Sequence, residues 1–277
     1  ADIVFATAWR TAEWVAGYPT SKGCKCYLIQ HLETWDGPED EVLATWKLPL
    51  TKVVISRWLL DIADSMGQYA EYIPNGLDLS AFGTDCDVYK RNSANIAMLF
   101  HESAWKGSAD GLAALELVRQ RVPNLNVDLF GTCNAEHLPS WAHYHRCPAQ
   151  RQLRRIYNTA AIFAAPSWAE GWPLPPAEAM LCGSAVVATD IGGHHEYMQD
   201  KVSALLSPLR SPELLARNIE RLILDSELRM QIAKTGAQHI RAFTWERAIA
   251  RMDAFLEHVC SLQFHPRKQS PSSLSRK

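Results

Sequence analysis

Short apolar runs alternate along the chain with longer segments of helical spacing. The runs at 2–7, 26–30, 52–56, 96–100, 127–131, 161–166, 185–189 and 204–207 predict strands. Between several of them the period lengthens. Leu112, Leu115 and Val118 fall three apart within 109–121, and Leu153, Ile156 and Tyr157 keep helical spacing within 150–159. Alternating strand and helix predicts an α/β fold of parallel sheets covered by helices.

The C-terminal third reads as helix. Ser211-Pro212-Glu213 predicts a helix start, with a capping serine, a proline in the first turn and an acid at the positive end. Further helices are predicted from Ser226 and from Thr244. Residues 265–277 hold two prolines, four serines and no acids, and predict a disordered tail. Asn75-Gly76 after Pro74 predicts a turn and a domain boundary. The expected division is 1–74, a partial N-terminal domain; 75–243, a complete domain of nucleotide-binding type; 244–264, a helix packing back toward the first domain; and the tail. The opening 1–8 reads as a buried strand and begins with Ala1, so upstream sequence is expected.

Composition narrows the class. The chain has 277 residues, 47% hydrophobic and 21% charged, with 28 Lys+Arg against 30 Asp+Glu. A disordered chain is excluded, and the near-neutral balance speaks against nucleic acid as a partner. No apolar stretch approaches the roughly 18 residues a membrane helix needs. Seven cysteines without a C-x-x-C predict neither a disulfide framework nor a zinc site, and point to a reducing cytoplasm. Cys24 and Cys26 fall on one face of a strand, as small packing residues do.

The chemistry concentrates in 166–196. The pattern predicts a strand ending at Pro166-Ser167, a loop carrying Glu170, and a helix opened by Pro175 and Pro176 with Glu178 in its first turn. Gly183 is expected to end that helix, 185–189 to form a buried strand, and Asp190 to Gly193 a flexible glycine loop. Ligands of open α/β sheets bind at such strand-to-helix loops. Helix-start amides can receive phosphate oxygens, and a carboxylate can accept from a sugar diol. A ligand with an anionic part and hydroxyls is implied.

Glu170-x7-Glu178, Ala179-Met180, Gly183 and Val186-Val187 resemble the signature of glycosyltransferase family 4. Ile73-Pro74-Asn75-Gly76-Leu77-Asp78, Lys106-Gly107 and Leu129-Phe130-Gly131 resemble three further segments of that family, in the same order. The resemblance spans about 53–255. It implies the GT-B architecture of two Rossmann-like domains, with 1–74 a partial one on the acceptor side and 75–243 the nucleotide-sugar-binding one, and transfer of a sugar, with retention, from a nucleotide-diphosphate sugar to a saccharide or lipid-linked acceptor. The implied steps are front-face substitution without a covalent enzyme intermediate and without a required metal or other cofactor. Glu178 is implied to hold the ribose hydroxyls and Glu170 the donor sugar. Lys106 is implied to face the diphosphate, beside the amides of Gly171, Trp172 and Leu174. His31, after the second strand, is the implied counterpart of a histidine near the reacting centre. Tyr27 to Gln30 and Ser56-Arg57-Trp58-Leu59 resemble the subset that builds bacterial surface polysaccharides. The implied location is the cytoplasm, with peripheral association at the inner membrane face.

Some positions depart from the family. His101 stands where arginine is usual and would clamp a diphosphate less strongly. Pro173 replaces a common glycine and removes one amide donor, and Ala185 replaces a common proline. The glycine-rich loop expected early in the first domain is absent. Two other readings stay open: a nucleotide-sugar 2-epimerase of GT-B fold, and a non-catalytic nucleotide-sugar-binding remnant. His143-x-His145 and His194-His195 lack supporting ligand spacing for a metal, while Gly193 and the two histidines after it fall near the sugar pocket. Arg146, Arg151, Arg154 and Arg155 read as a basic helix face without nearby acids.

Overall fold

The computed structural model describes residues 2–134 and 137–264. The predicted tail lies outside the described residues. The described residues divide into two compact units: those within 2–55, 59–73 and 246–264 form the first, and those within 56–58 and 74–245 the second.

In the first unit, β1 (Ile3–Ala6), β2 (Cys24–Ile29), β3 (Thr51–Val54) and β4 (Ala70–Tyr72) make an all-parallel sheet in the order β1-β2-β3-β4. Helices α1 (Trp9–Gly17), α2 (Glu39–Trp46) and α3 (Arg57–Ser65) connect the strands. The last helix, α10 (Trp245–Phe264), buries Phe255 and Val259 against Cys24, Cys26, Val53 and Ile73.

The second unit holds six parallel strands: β5 (Asn95–Leu99), β6 (Asn126–Gly131), β7 (Ala142–Arg146), β8 (Ile162–Ala165), β9 (Ala185–Thr189) and β10 (Leu205–Ser207). Their spatial order is β10-β9-β8-β5-β6-β7. The order therefore reverses between β5 and β8, and a doubly wound sheet opens its ligand crevice at such a reversal, outside the carboxyl ends of the strands. Strands β8 and β9 are buried along their whole length, as parallel strands covered on both faces must be. Helices α4 (Ser108–Arg121), α5 (Gln150–Thr159), α6 (Leu174–Leu181), α7 (Gly192–His195), α8 (Pro212–Leu224) and α9 (Ser226–Ile240) complete the unit. Ile96, Met98, Leu115, Val127, Leu129, Ile162, Val187 and Ile219 lie at the centre of its core.

Several local expectations are corrected. Strands β4 and β7 were not foreseen, because both are edge strands and β7 reads Ala-His-Tyr-His-Arg, with no apolar run. Asn75-Gly76 makes no turn. The segment is extended into a bridge between Leu77 and Thr244, and a side chain on Gly76 would come within 2.6 Å of the Trp245 backbone. Close approach, not a reversal, needs that glycine. Helix α6 starts one residue before its prolines, which puts Glu178 in the second turn. Ser211 does stand at the N-cap of α8, but its hydroxyl donates to the Leu209 carbonyl and accepts no bond from the helix amides. Gly192 and Gly193 begin α7 instead of a flexible loop, held by bonds from the His194 and His195 amides to the Ile191 carbonyl at 3.0 and 3.2 Å. Arg154 does have an acid nearby: its guanidinium grips Asp85, at 2.5 and 2.8 Å, across 69 residues of sequence.

Candidate functional site

Two loops leave the carboxyl ends of β5 and β8. The first carries His101 and Lys106, the second Glu170. Their backbones touch. Gly107 has φ +63°, and a Cβ there would collide with the Pro166 carbonyl, so glycine alone fits. The Trp168 amide donates to the Trp105 carbonyl at 2.6 Å, and the Trp168 indole to Asp110 at 2.7 Å. The two loops are thereby fixed as one rim.

On that rim Lys106 Nζ donates to both oxygens of Glu170, at 2.8 and 3.0 Å. The Ser167 hydroxyl donates to the same carboxylate at 2.8 Å. The Glu170 side chain is 11% exposed and that of Lys106 25%, so the pair is shielded from bulk water yet reachable. Gly193 braces it from behind: a Cβ would lie 2.8 Å from the Glu170 carbonyl carbon and 2.9 Å from its Cβ. Lys106, Ser167, Glu170 and His194 line a cavity of about 20 Å³.

His101 orders its own loop. Its amide donates to the Ser108 hydroxyl at 2.9 Å, and its Nδ1 accepts from the Ser103 amide at 3.0 Å. An Nδ1 that accepts has no hydrogen left to give a ligand, whereas an arginine would offer a fork of donors.

Of the residues expected to offer amides, Gly171 is buried and its carbonyl accepts from the Trp58 indole, which clusters with this unit, at 3.0 Å. The Trp172 side chain is buried, packed on Tyr197 and Phe243 with ring centroids at 4.8 and 5.4 Å. Leu174 is exposed at the first position of α6. Pro175 and Pro176 follow it without amide hydrogens, which leaves Leu174 the one backbone donor among the first three residues of the helix.

Glu178 lives in different surroundings. It accepts from the Tyr157 hydroxyl at 2.9 Å, and burial pushes its carboxyl above the usual range. It does not line the small cavity. Tyr197, buried with its hydroxyl on the Pro173 carbonyl at 2.6 Å, has its phenol pushed well up by burial and then by the charges of both Glu170 and Glu178.

His31 belongs to the first unit, just beyond β2. Its Nδ1 is 2.9 Å from the Leu32 carbonyl, and its ring meets Trp35 edge-on at 4.4 Å. The sequence reading missed Tyr157, Ser167 and Tyr197. Tyr157 and Tyr197 sit inside apolar surroundings, and a serine beside a proline carries no spacing signal. Among the described residues no group of three or more His, Cys, Asp or Glu could hold a metal ion.

Fold and site together define a parallel α/β protein that offers a cation, a carboxylate and few backbone donors to a ligand at the switch point of its second sheet. Residues 94–239 match the family described as glycosyl transferases group 1, and the chain belongs to that family. It is 28% identical over 220 residues to a phosphatidyl-myo-inositol mannosyltransferase of Mycobacterium tuberculosis, covering 73% of this chain and 57% of the relative. It is 35% identical over 97 residues to a D-inositol 3-phosphate glycosyltransferase of Salinispora tropica, covering 35% of this chain and 20% of the relative. The matches thus span from a fifth to just over half of these relatives' length. Among solved structures, sucrose-phosphate synthase from Thermosynechococcus elongatus superposes with a TM-score of 0.78 at 17% identity, over 93% of this chain and 73% of the other. The Anabaena protein HepE in complex with UDP-glucose superposes at 0.77 and 18%, over 94% and 79%. These likenesses show the GT-B type of fold.

Proposed function

We propose that the chain is part of a retaining glycosyltransferase, moves a sugar from a nucleoside-diphosphate donor to a saccharide or lipid-linked acceptor, and uses its second unit to bind the donor. The observation that carries this reading is the Lys106–Glu170 contact at the strand-order reversal. During transfer the bond between the sugar's anomeric carbon and the diphosphate oxygen breaks, and its electron pair leaves with the diphosphate. The acceptor oxygen bonds to that carbon, and its proton passes to the departing diphosphate oxygen, which holds the released electron pair. Lys106 has three hydrogens to donate. It keeps Glu170 with some and meets the growing negative charge on the diphosphate with another, where such a donor is worth about 3 kcal/mol. Glu170, held by Lys106 and Ser167, accepts from hydroxyls of the sugar. Glu178, steadied by Tyr157, accepts from the ribose. The Leu174 amide and the Gly171 and Trp172 backbone lie against the phosphates, and Gly193 keeps Glu170 in place.

His31 serves the acceptor side in this reading, and no metal or other cofactor takes part. The relative named for phosphatidyl-myo-inositol supports a lipid-linked acceptor, and HepE with UDP-glucose supports a nucleotide-sugar donor. A membrane-facing acceptor suits peripheral association; no helix among the described residues is long and apolar enough to cross a membrane. Arg151 and Arg155, exposed on α5, could meet anionic headgroups. A product built on the cytoplasmic side, such as a surface polysaccharide or other glycan, follows from this placement.

The test is a thermal-shift panel of UDP, GDP, ADP and dTDP with a sugar derivative of each. Ligand at a hundred times its dissociation constant stabilises by about 2.7 kcal/mol. One base should raise the melting temperature selectively, and more with its sugar attached. Absence of any shift at millimolar ligand overturns the reading. Conversion of the nucleotide-sugar to an epimer without acceptor would replace transfer by isomerisation.

A further inference from the structure

His194 has 0% exposure, and its two ring nitrogens do different work. Nδ1 lies 2.7 Å from the Thr189 carbonyl oxygen, which can only accept, so Nδ1 carries the hydrogen and donates it. The Thr189 hydroxyl stands 3.5 Å from the same nitrogen and already donates to the Ser167 carbonyl, so toward the ring it too can only accept. Nε2 is left as a bare lone pair, and among the described residues no group donates to it.

His194 borders the cavity of about 20 Å³ together with Lys106, Ser167 and Glu170. A space of that size admits one oxygen with its hydrogen, since a single water needs about 10–15 Å³. The polar groups around it are complementary in kind. Lys106 only donates, Glu170 only accepts, Ser167 spends its hydrogen on Glu170, and Nε2 only accepts. A hydroxyl satisfies such a set: it gives its hydrogen to Nε2 and receives one from Lys106. A methylene or a fluorine cannot give a hydrogen.

We infer that His194 Nε2 accepts a hydrogen bond from one hydroxyl of the transferred sugar, which makes His194 a specificity-determining residue of the donor site. The inference rests on the donor-binding reading above. Burial holds the imidazole down to about 4, so the ring remains a neutral acceptor through the neutral pH range. A buried acceptor left without a donor is costly, and a site built this way rejects a ligand lacking the matching hydroxyl.

The experiment measures binding of UDP, GDP, ADP and dTDP, and of UDP-glucose, GDP-mannose, ADP-glucose and dTDP-glucose, to the 277-residue chain and to its His194→Phe and His194→Gln variants. The phenyl ring keeps the volume and deletes the acceptor, and glutamine returns an acceptor. His194→Phe should bind the free diphosphate as the parent does and lose about 10–100-fold for its sugar derivative, with partial recovery in His194→Gln. In a series of deoxy and deoxyfluoro sugars, replacing one hydroxyl should cost the parent chain the same factor and cost His194→Phe nothing further. Should His194→Phe fail to fold, nitrogen-15 NMR of the parent histidines serves instead: the Nε2 signal should move with the nucleotide-sugar and stay put with the diphosphate alone. If the parent chain gains affinity from the sugar and either His194→Phe keeps that gain or Nε2 does not respond, this inference falls and the donor-binding reading stands. If the parent chain binds none of the eight, both fall.

Discussion

The two sheets are written in the same alternation of apolar strand and amphipathic helix, yet they differ in what their loops can hold. In the first unit each strand adds beside its predecessor, in the order β1-β2-β3-β4. Successive connections then cover the sheet without parting. In the second, β6 and β7 extend the sheet to one side of β5 and β8, β9 and β10 to the other. The loops after β5 and β8 leave the sheet at this reversal, where a ligand crevice opens outside the carboxyl ends of the strands, and their backbones touch. Lys106 and Glu170 stand on those two loops and meet there. Strand order, more than composition, decides where a parallel sheet can bind.

The largest expected effect falls on that meeting point. Lys106→Met should lower sugar transfer about 100–1,000-fold, measured as kcat/KM at saturating acceptor. His31→Ala, at the end of a strand in the first unit, should leave nucleoside-diphosphate affinity unchanged. An equal loss of diphosphate affinity in both variants would erase the contrast between the units.

Acid titration should expose the strain of burying His194. Its proton affinity falls from the ordinary 6.5 to about 4 on folding, because burial opposes the charged ring. Between those values the unfolded chain holds a proton that the native ring refuses. The favourable contribution is full above about pH 6.5 and disappears as pH falls toward 4, a change of about 3 kcal/mol. Urea unfolding across this range should show the decline, and the His194→Phe variant should flatten it.

Gly193→Ala tests the backbone brace. The new methyl strikes the Glu170 carbonyl, so the Glu170 loop must shift. Stability should drop by about 1–3 kcal/mol, and transfer should suffer more than nucleotide binding. A variant that transfers normally would show that the position of Glu170 is tolerant.

Smaller effects are expected on α6. Glu178→Gln should weaken nucleotide binding about tenfold, as loss of a charged acceptor does, and Tyr157→Phe by a few-fold. Since burial raises the Glu178 carboxyl, the native state holds its proton to higher pH than the unfolded chain does. That group makes stability fall as pH rises from the ordinary carboxylate range through the raised value, and Glu178→Gln should remove this slope.

Much of this was legible in the residues. Helix and strand periodicity marked most elements of both sheets, because buried parallel strands are continuous apolar runs. The Glu170 loop stood out through glycines and prolines that only particular backbone shapes require, whereas Lys106-Gly107 stood out only through its resemblance to a family motif. Strand order left no local trace, so the reversal between β5 and β8 was invisible. Tyr157 looked like one more apolar position of α5, and its hydroxyl acquires meaning only when α6 brings Glu178 within 2.9 Å. The Arg154–Asp85 pair was hidden for the same reason: partners far apart in sequence are joined only by the fold.

The most direct measurement is a crystal structure with the nucleoside diphosphate selected by thermal shift. The diphosphate should lie between the β5 and β8 loops, with Lys106 Nζ within hydrogen-bond distance of a phosphate oxygen and the ribose toward Glu178. Density for the nucleotide at any other place on the second unit, with Lys106 and Glu170 still joined and untouched, would contradict the account.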